Sequence, residues 1–316
     1  ILITGGSGMV GSAFNRINTQ DHFFALLSSQ DADLRNSYAA GAAMHDWEPD
    51  AIIHLAAKVG GVKGNMERVA EFFEDNILIN TNVLKEARHY SERRIAAGKP
   101  PVKVLSLLST CIYPDDVQYP LTTDQIHNGP PHPSNFGYAY AKRMLDVHTR
   151  AIAQQFDMHW ITAVPNNIFG ENDNFSLEHS HVVPALIRKI YDAKLTGNPV
   201  ILWGDGTALR EFTYSTDIAN ILLWMVQNYN DPEPMNIGNH VQHCIKDVAE
   251  LICNILDYPY DAILWDTDQP TGQLKKPSDN SKFLQMNDFK YTTLYDGLKK
   301  TCDWYIANYP RVRGVS

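Results

Sequence analysis

The first eleven residues constrain this chain more than any later stretch. Ile1-Leu2-Ile3-Thr4 is an apolar, β-favouring stub, and Gly5-Gly6-Ser7-Gly8-Met9-Val10-Gly11 follows at once, leading into a helix-compatible run from Ser12 to Ile17. A strand that turns directly into a helix through glycines spaced three apart is a specific backbone device. The first glycine permits the tight turn, the second lets backbone approach a ligand with no Cβ between them, and the third allows close helix–strand packing. Amides at the start of that helix then face an anion such as a pyrophosphate.

The rest of the chain alternates in the same way. Phe23 to Leu27 predicts a second strand, ending in Ser28-Ser29-Gln30, and Ala51 to Ala57 predicts a buried strand running into a loop of small residues. A helix is expected from about Glu67 to Arg94, a strand over Val102 to Leu108, a helix over Tyr140 to Phe156 and a strand over Trp160 to Val164. Such alternation predicts an α/β fold, a Rossmann-type doubly wound parallel sheet. Beyond Phe169-Gly170 the pattern loosens into Asn-, Asp-, Ser-, His- and Pro-containing loops. The expected division is a dinucleotide-binding domain over 1–170 and a smaller C-terminal α/β substrate-binding domain over 171–316. A segment near 205–235, with the apolar helix Thr216 to Gln227, returns to the first domain.

Composition enters as exclusion. With 316 residues, at about 150 per domain, two domains are expected. The 27 Lys and Arg against 36 Asp and Glu leave a net charge of −9, the wrong sign for a nucleic-acid groove. The longest apolar stretch, Ile218 to Val226, is broken by Asn220 and falls short of the ~20 residues a membrane helix needs. Four cysteines (Cys111, Cys244, Cys253, Cys302), none in a Cys-x-x-Cys pair, predict free thiols in a reducing compartment, the cytoplasm. No basic-then-apolar leader is present, and the chain opens at Ile1 already inside an apolar run.

Three residues carry recognisable chemistry. Ser109 stands at the end of the Val102–Leu108 strand, and Tyr138-Ala139-Tyr140-Ala141-Lys142 has Tyr-x-x-x-Lys spacing. Residues four apart share a helix face, so Lys142 can lie beneath the Tyr138 phenol and favour its ionised form. Ser109 would hold a substrate oxygen from the other side. An NAD-selective site places a carboxylate after the second strand. Ser28 and Ser29 there leave room for a 2′-phosphate and favour NADP, with Asp31 and Asp33 close behind.

Together, Gly5-x-x-Gly8-x-x-Gly11, Ser109 and Tyr138-x-x-x-Lys142 resemble the sugar-nucleotide branch of the extended short-chain dehydrogenase/reductase superfamily. Within it, four stretches resemble the GDP-4-keto-6-deoxy-D-mannose 3,5-epimerase/4-reductases: His54 to Gly61, Ser109 to Pro114, Asp173-Asn174-Phe175 with Ser180 to Pro184, and Trp203 to Gly206 running on to Arg210-Glu211-Phe212. The resemblance implies an NADPH-dependent enzyme that inverts carbons 3 and 5 of a GDP-linked keto-sugar and then reduces carbon 4, giving GDP-L-fucose. It assigns Cys111 as base and His181 as acid, beside Ser109, Tyr138 and Lys142. It implies NADP(H) contacts from Gly5, Gly6, Ser7, Gly8, Met9, Val10, Gly11, Asp33, Leu34, Leu55, Ala56, Ala57, Leu108, Ser109, Tyr138, Lys142, Pro165, Asn166, Asn167, Ile168 and His181. Substrate contacts are expected from Lys189, Trp203, Arg210 and Thr271, and a homodimer through helices in the Glu67–Arg94 and Tyr140–Phe156 stretches.

The chemistry agrees with the assignment. In the superfamily's dehydratases an acidic pair follows Ser-Thr, whereas here Cys111 and Ile112 stand there, and Ile112 cannot move a proton. A 4-epimerase needs only Tyr, Ser and Lys. Epimerising carbons beside a ketone needs two proton-transfer groups, one on each face of the ring. Two departures stand out: Thr271 occupies the place of a carboxylate in an Asp-Gly pair, and Asn166 that of a Thr. On the residues alone, Cys111 as apolar filler and His181 as a loop residue remain alternatives. So do a sugar-nucleotide 4-epimerase or 4-ketoreductase, and a catalytically silent NADP-binding scaffold.

Overall fold

The central strands are short apolar runs, and burial on both faces explains why. β1 (Leu2–Thr4), β2 (Ala25–Leu27), β3 (Ala51–His54), β4 (Lys103–Leu107), β5 (Ile161–Pro165) and β9 (Met235–Ile237) pair throughout in parallel, in the order β2-β1-β3-β4-β5-β9. Successive strand residues point to opposite faces. Leu2, Ile52 and Val104 therefore enter one core with Val83, Leu84 and Leu145, while Ile3, Ile53 and Leu105 enter another with Val10, Ile218 and Leu222. The computed structural model describes residues 1–17, 21–268 and 274–315.

On the first face lie α2 (Ser37–Trp47), α4 (Val69–Ala96) and α5 (Phe136–Phe156), and α4 is preceded by the short α3 (Val62–Glu67). On the other lie α1 (Met9–Ala13) and the returning α7 (Ser215–Asn228). The apolar segment around Ile218 is thus a core helix of the main sheet, and β9 extends that sheet beyond residue 170.

The remaining elements form a second cluster. β8 (Leu209–Tyr214) pairs in parallel with β6 (Asn167–Phe169) and antiparallel with β10 (Gln242–Cys244), and β7 (Val200–Trp203) pairs with β11 (Ile263–Asp266). Helices α6 (Val182–Thr196), α8 (Ile245–Leu256) and α10 (Leu294–Asn308) pack around a core that includes Phe175, Ile187, Val248, Ile252, Leu298 and Tyr305. The short α9 (Ser281–Met286) packs beside β9, with Phe283 in the main-sheet core.

Two boundaries depart from expectation. The first helix starts at Met9 and spans five residues instead of running from Ser12 to Ile17, so Gly11 lies inside it. α5 begins at Phe136, four residues early, because Pro133 to Asn135 form a 3₁₀ turn that leads directly into it. Tyr138 and Lys142 therefore share one helix.

Candidate active site

Strand order reverses at β1, with β2 on one side and β3 on the other, and ligands of open α/β sheets bind beyond the strand ends at such a point. A cleft of about 1490 Å³ opens there. Its walls come from the segments after β1 (Gly5, Ser7 to Gly11), β3 (Leu55, Ala56, Ala57), β4 (Leu108, Ser109, Cys111) and β5 (Pro165, Asn166, Asn167, Ile168).

The turn after β1 has no space for side chains. Gly5 has φ +71°, a left-handed conformation, and a Cβ on Gly11 would collide with the Gly5 carbonyl. Gly6 does not line the cleft; its Cα packs against Leu26. A buried network fixes this end. Thr4 Oγ1 accepts from the amides of Leu55 (3.1 Å) and Ala56 (3.2 Å) and lies 2.8 Å from His54 Nδ1, while His54 Nε2 lies 3.0 Å from Asn80 Oδ1. Burial, then the Lys142 charge, push His54 down to about 3, so its imidazole is neutral. Since the amide oxygen only accepts, Nε2 carries the proton and Nδ1 accepts the Thr4 hydroxyl.

At the adenosine end, the carboxylates that would select NAD are engaged. Asp31 Oδ2 accepts from Ser28 N (2.8 Å) and Oγ (2.6 Å). Asp33 pairs with Arg35 at 2.8 Å, and Arg35 also reaches Asp75. Asp33, Leu34 and Arg35 all line the cleft. Arg35 was not anticipated from sequence, although it lies directly after the stretch singled out there.

Beyond β4 the chemical groups converge. Ser109 Oγ lies near enough to the Tyr138 phenol to act on it and accepts from the Cys111 amide at 3.3 Å. Arg143 holds this turn against α5, donating from Nε to the Ile112 carbonyl at 2.6 Å, and Cys111 is a half-buried free thiol. Burial, then Cys111, raise the Tyr138 phenol well above its ordinary range, opposed by Ser109. Lys142 is buried and pushed down to about 8 by desolvation. Its Nζ donates to the Leu107 carbonyl at 2.7 Å, so in this structure the ammonium is fixed to β4.

His181 comes from a different element, the start of α6. It caps the N-terminus of α6 through its backbone, its side chain makes no cap hydrogen bond, and it lines the same cleft as Cys111, Tyr138 and Lys142. Arg210 on β8 lines it too. Lys189 and Trp203 do not: Lys189 Nζ donates to the Ile201 carbonyl at 3.0 Å, and Trp203 is exposed on β7. Thr271 lies outside the described residues.

A family model, the NAD dependent epimerase/dehydratase family, matches residues 1–238. The chain belongs to that family. Among similar proteins, GDP-L-fucose synthase of Dictyostelium discoideum is 37% identical, covering 99% of this chain and 97% of its own. A probable GDP-L-fucose synthase of Drosophila melanogaster is 36% identical over 99% of both chains. A solved GDP-L-fucose synthetase of Naegleria fowleri bound to NADP superposes with a TM-score of 0.89 at 35% identity, covering 99% of this chain and 95% of that one.

The epimerase/dehydratase cleft also contains residues that sequence reasoning passed over. Lys276 sits at its substrate end, where desolvation and Arg210 lower its basicity while Cys111 raises it. Only its position as the second of two lysines after a turn-like stretch could have signalled it. Asp173, His179 and Arg313 line the same end.

Proposed function

We propose that this chain converts GDP-4-keto-6-deoxy-D-mannose to GDP-L-fucose, inverting carbons 3 and 5 and then reducing carbon 4. One observation carries the reading: a thiol from the β4 wall and an imidazole from the α6 wall enter a cleft that also holds Ser109, Tyr138 and Lys142. The glycine turn, closed to a Cβ at Gly5, Gly6 and Gly11, and the engaged acidic groups after β2 fit NADP(H), whose reduced form would supply a hydride to carbon 4 when bound. Arg35, Ser28 and Ser29 suit its 2′-phosphate.

Ser109 and Tyr138 hold the ketone oxygen, which acidifies the neighbouring C–H bonds. Cys111, as the thiolate, accepts a proton from one face, and His181, as the imidazolium, delivers one from the other to the enolate carbon; both groups then exchange protons with solvent before the second centre is inverted. Tyr138 then gives its proton to the oxygen at carbon 4. Lys142, one helical turn along α5 from Tyr138, suits the nicotinamide ribose. Arg210 and Lys276 supply positive charge for the diphosphate that the net acidic chain otherwise lacks. The division into residues 1–170 and 171–316 separates the cofactor half of this cleft from most of the substrate half. A homodimer through α4 and α5 is supported by exposed Phe73 and Leu78 on one helix and Met144 and Val147 on the other. Among the described residues no helix is long and apolar enough to cross a membrane, and four free thiols suit the cytoplasm.

The test is incubation with GDP-4-keto-6-deoxy-D-mannose and NADPH in heavy water. The expected product is a reduced L-sugar carrying deuterium at carbons 3 and 5. A D-configured product with protium at both positions overturns the reading.

A further inference from the structure

The loop between β6 and α6 carries a carboxylate that the chemistry above leaves idle. Asp173 is 6% exposed. Its Oδ1 accepts the Asn174 amide at 2.7 Å, while Oδ2, also buried, has no hydrogen-bond partner. Buried polar atoms are almost always paired, so an unpaired carboxylate oxygen on a cleft wall requires a reason. Asp173 lines the same end of the cleft as His181 and Arg313, and the charges that act on it are those two.

The loop is built to keep that carboxylate in place. Asn174 Oδ1 accepts the Ser176 amide at 3.1 Å, and the Phe175 amide donates to the Arg313 carbonyl at 2.9 Å. Arg188 Nη1 donates to the Phe175 carbonyl at 3.0 Å and also to the Gly314 carbonyl. The Phe175 ring is fully buried against Tyr305, at 4.6 Å between centroids. The C-terminal tail is therefore stitched to the catalytic wall, and it delivers one cation, Arg313, to the cleft.

We propose that Asp173 is the positioning residue for His181, with Arg313 on the tail as the second charged group facing it in the cleft. The inference rests on the proposed function. An imidazole that must give up a proton in one direction is ordinarily oriented by a third group, and among the described residues His181 has no side-chain hydrogen bond to supply this. Burial raises the Asp173 carboxyl above its ordinary range, and His181, the Asn174 amide and, least of the three, Arg313 oppose this. As substrate fills the cleft, Oδ2 receives one ring N–H of the imidazolium and directs the other toward the sugar. The second N–H bond then breaks as the C–H bond forms on the enolate, leaving neutral imidazole. Asp173 keeps its charge throughout.

The test separates inversion from reduction in the full-length protein with NADPH. Three quantities are measured: the NADPH dissociation constant, hydride transfer to the already inverted GDP-4-keto-6-deoxy-L-galactose, and inversion of the D-manno substrate. Asp173→Asn is expected to lower kcat for inversion at least tenfold while its KM, NADPH binding and hydride transfer stay within about twofold. Unchanged inversion overturns the proposal, as does a parallel fall in all three quantities, which marks a structural role. Arg313→Gln, at an exposed tail residue, is the second variant and decides the matter if the first fails to fold. A threefold or greater loss confined to inversion supports the proposal, and no loss overturns it. Failure of the wild-type chain to invert the substrate overturns the functional reading instead.

Discussion

At the residue scale, the proposed reaction divides between side chains that invert and side chains that reduce, and single substitutions can separate them. Cys111→Ala removes the thiol beside Ser109 and leaves the phenol, so inversion should fall by roughly a hundredfold or more. Reduction of an already inverted 4-keto sugar should persist. Tyr138→Phe should do the opposite, slowing hydride transfer by roughly a hundredfold or more while deuterium still enters at carbons 3 and 5 in heavy water. Product analysis by mass spectrometry and NMR reads both outcomes, and loss of both activities in either variant contradicts the division of labour. Of the five proposed catalytic residues, Ser109, Tyr138 and Lys142 could be singled out from a strand end and helical spacing, whereas Cys111 and His181 came only from the family resemblance. Asp173 lies in a stretch that carried the resemblance but received no role there, and Lys276 and Arg313 were not singled out, since only tertiary packing brings their segments to the cleft.

At the scale of elements, the buried bridge Thr4–His54–Asn80 joins β1, β3 and α4, and its pH response follows from His54. The folded imidazole is held down to about 3, whereas in the unfolded chain it titrates near 6.5. Below pH 6.5 the unfolded state therefore binds a proton that the folded state refuses. This contribution to stability is intact above pH 6.5 and falls by about 1.4 kcal/mol per pH unit as pH drops toward 3. Thermal melts at pH 7.5, 6.0 and 5.0 should show this decline, and a His54→Asn variant should show a shallower one even if less stable at pH 7.5. A slope unchanged by the substitution excludes His54 as its source. The outer faces of α4 and α5 carry a second expectation. Met144 and Val147 are each more than 40% exposed, and a Met144→Glu/Val147→Glu pair should convert a dimer to monomers by sedimentation without lowering the melting temperature much. A wild-type chain that sediments as a monomer rejects the helical interface. The positions of both helices were readable from periodicity, but a helix with apolar residues on more than one face looks the same whether its second face meets its own chain or another.

At the scale of the whole molecule, the cleft exists because two cores are joined along β5, β6 and β8, and Glu211 is the side chain that ties that joint. It is 2% exposed. Its carboxylate accepts the Ser278 amide at 3.2 Å, the Ser278 hydroxyl at 2.6 Å and Asn166 Nδ2 at 3.3 Å. Asn166 belongs to the loop after β5, whereas Ser278 lies two residues from Lys276. One carboxylate thus links the cofactor side of the cleft to the segment that presents a cation to the substrate. A doubly wound parallel sheet was legible in the alternation of strands and helices, but this tie was not, because residues 211 and 278 are distant in sequence and no local pattern pairs them. Glu211→Ala would leave the Ser278 donors and the Asn166 amide buried without an acceptor, at a cost of about 2–4 kcal/mol. Asn166 remains held on its own side, donating to the Asn239 carbonyl at 2.8 Å and accepting from Thr213 at 2.6 Å. The segment around Lys276 loses its anchor. The expected result is a lower melting temperature together with a tenfold or greater rise in KM for the sugar nucleotide, while the NADPH dissociation constant changes less than threefold. Calorimetry and steady-state kinetics on one preparation measure both, and an equal weakening of sugar nucleotide and cofactor would mean that Glu211 supports the fold as a whole instead of the substrate side of the joint.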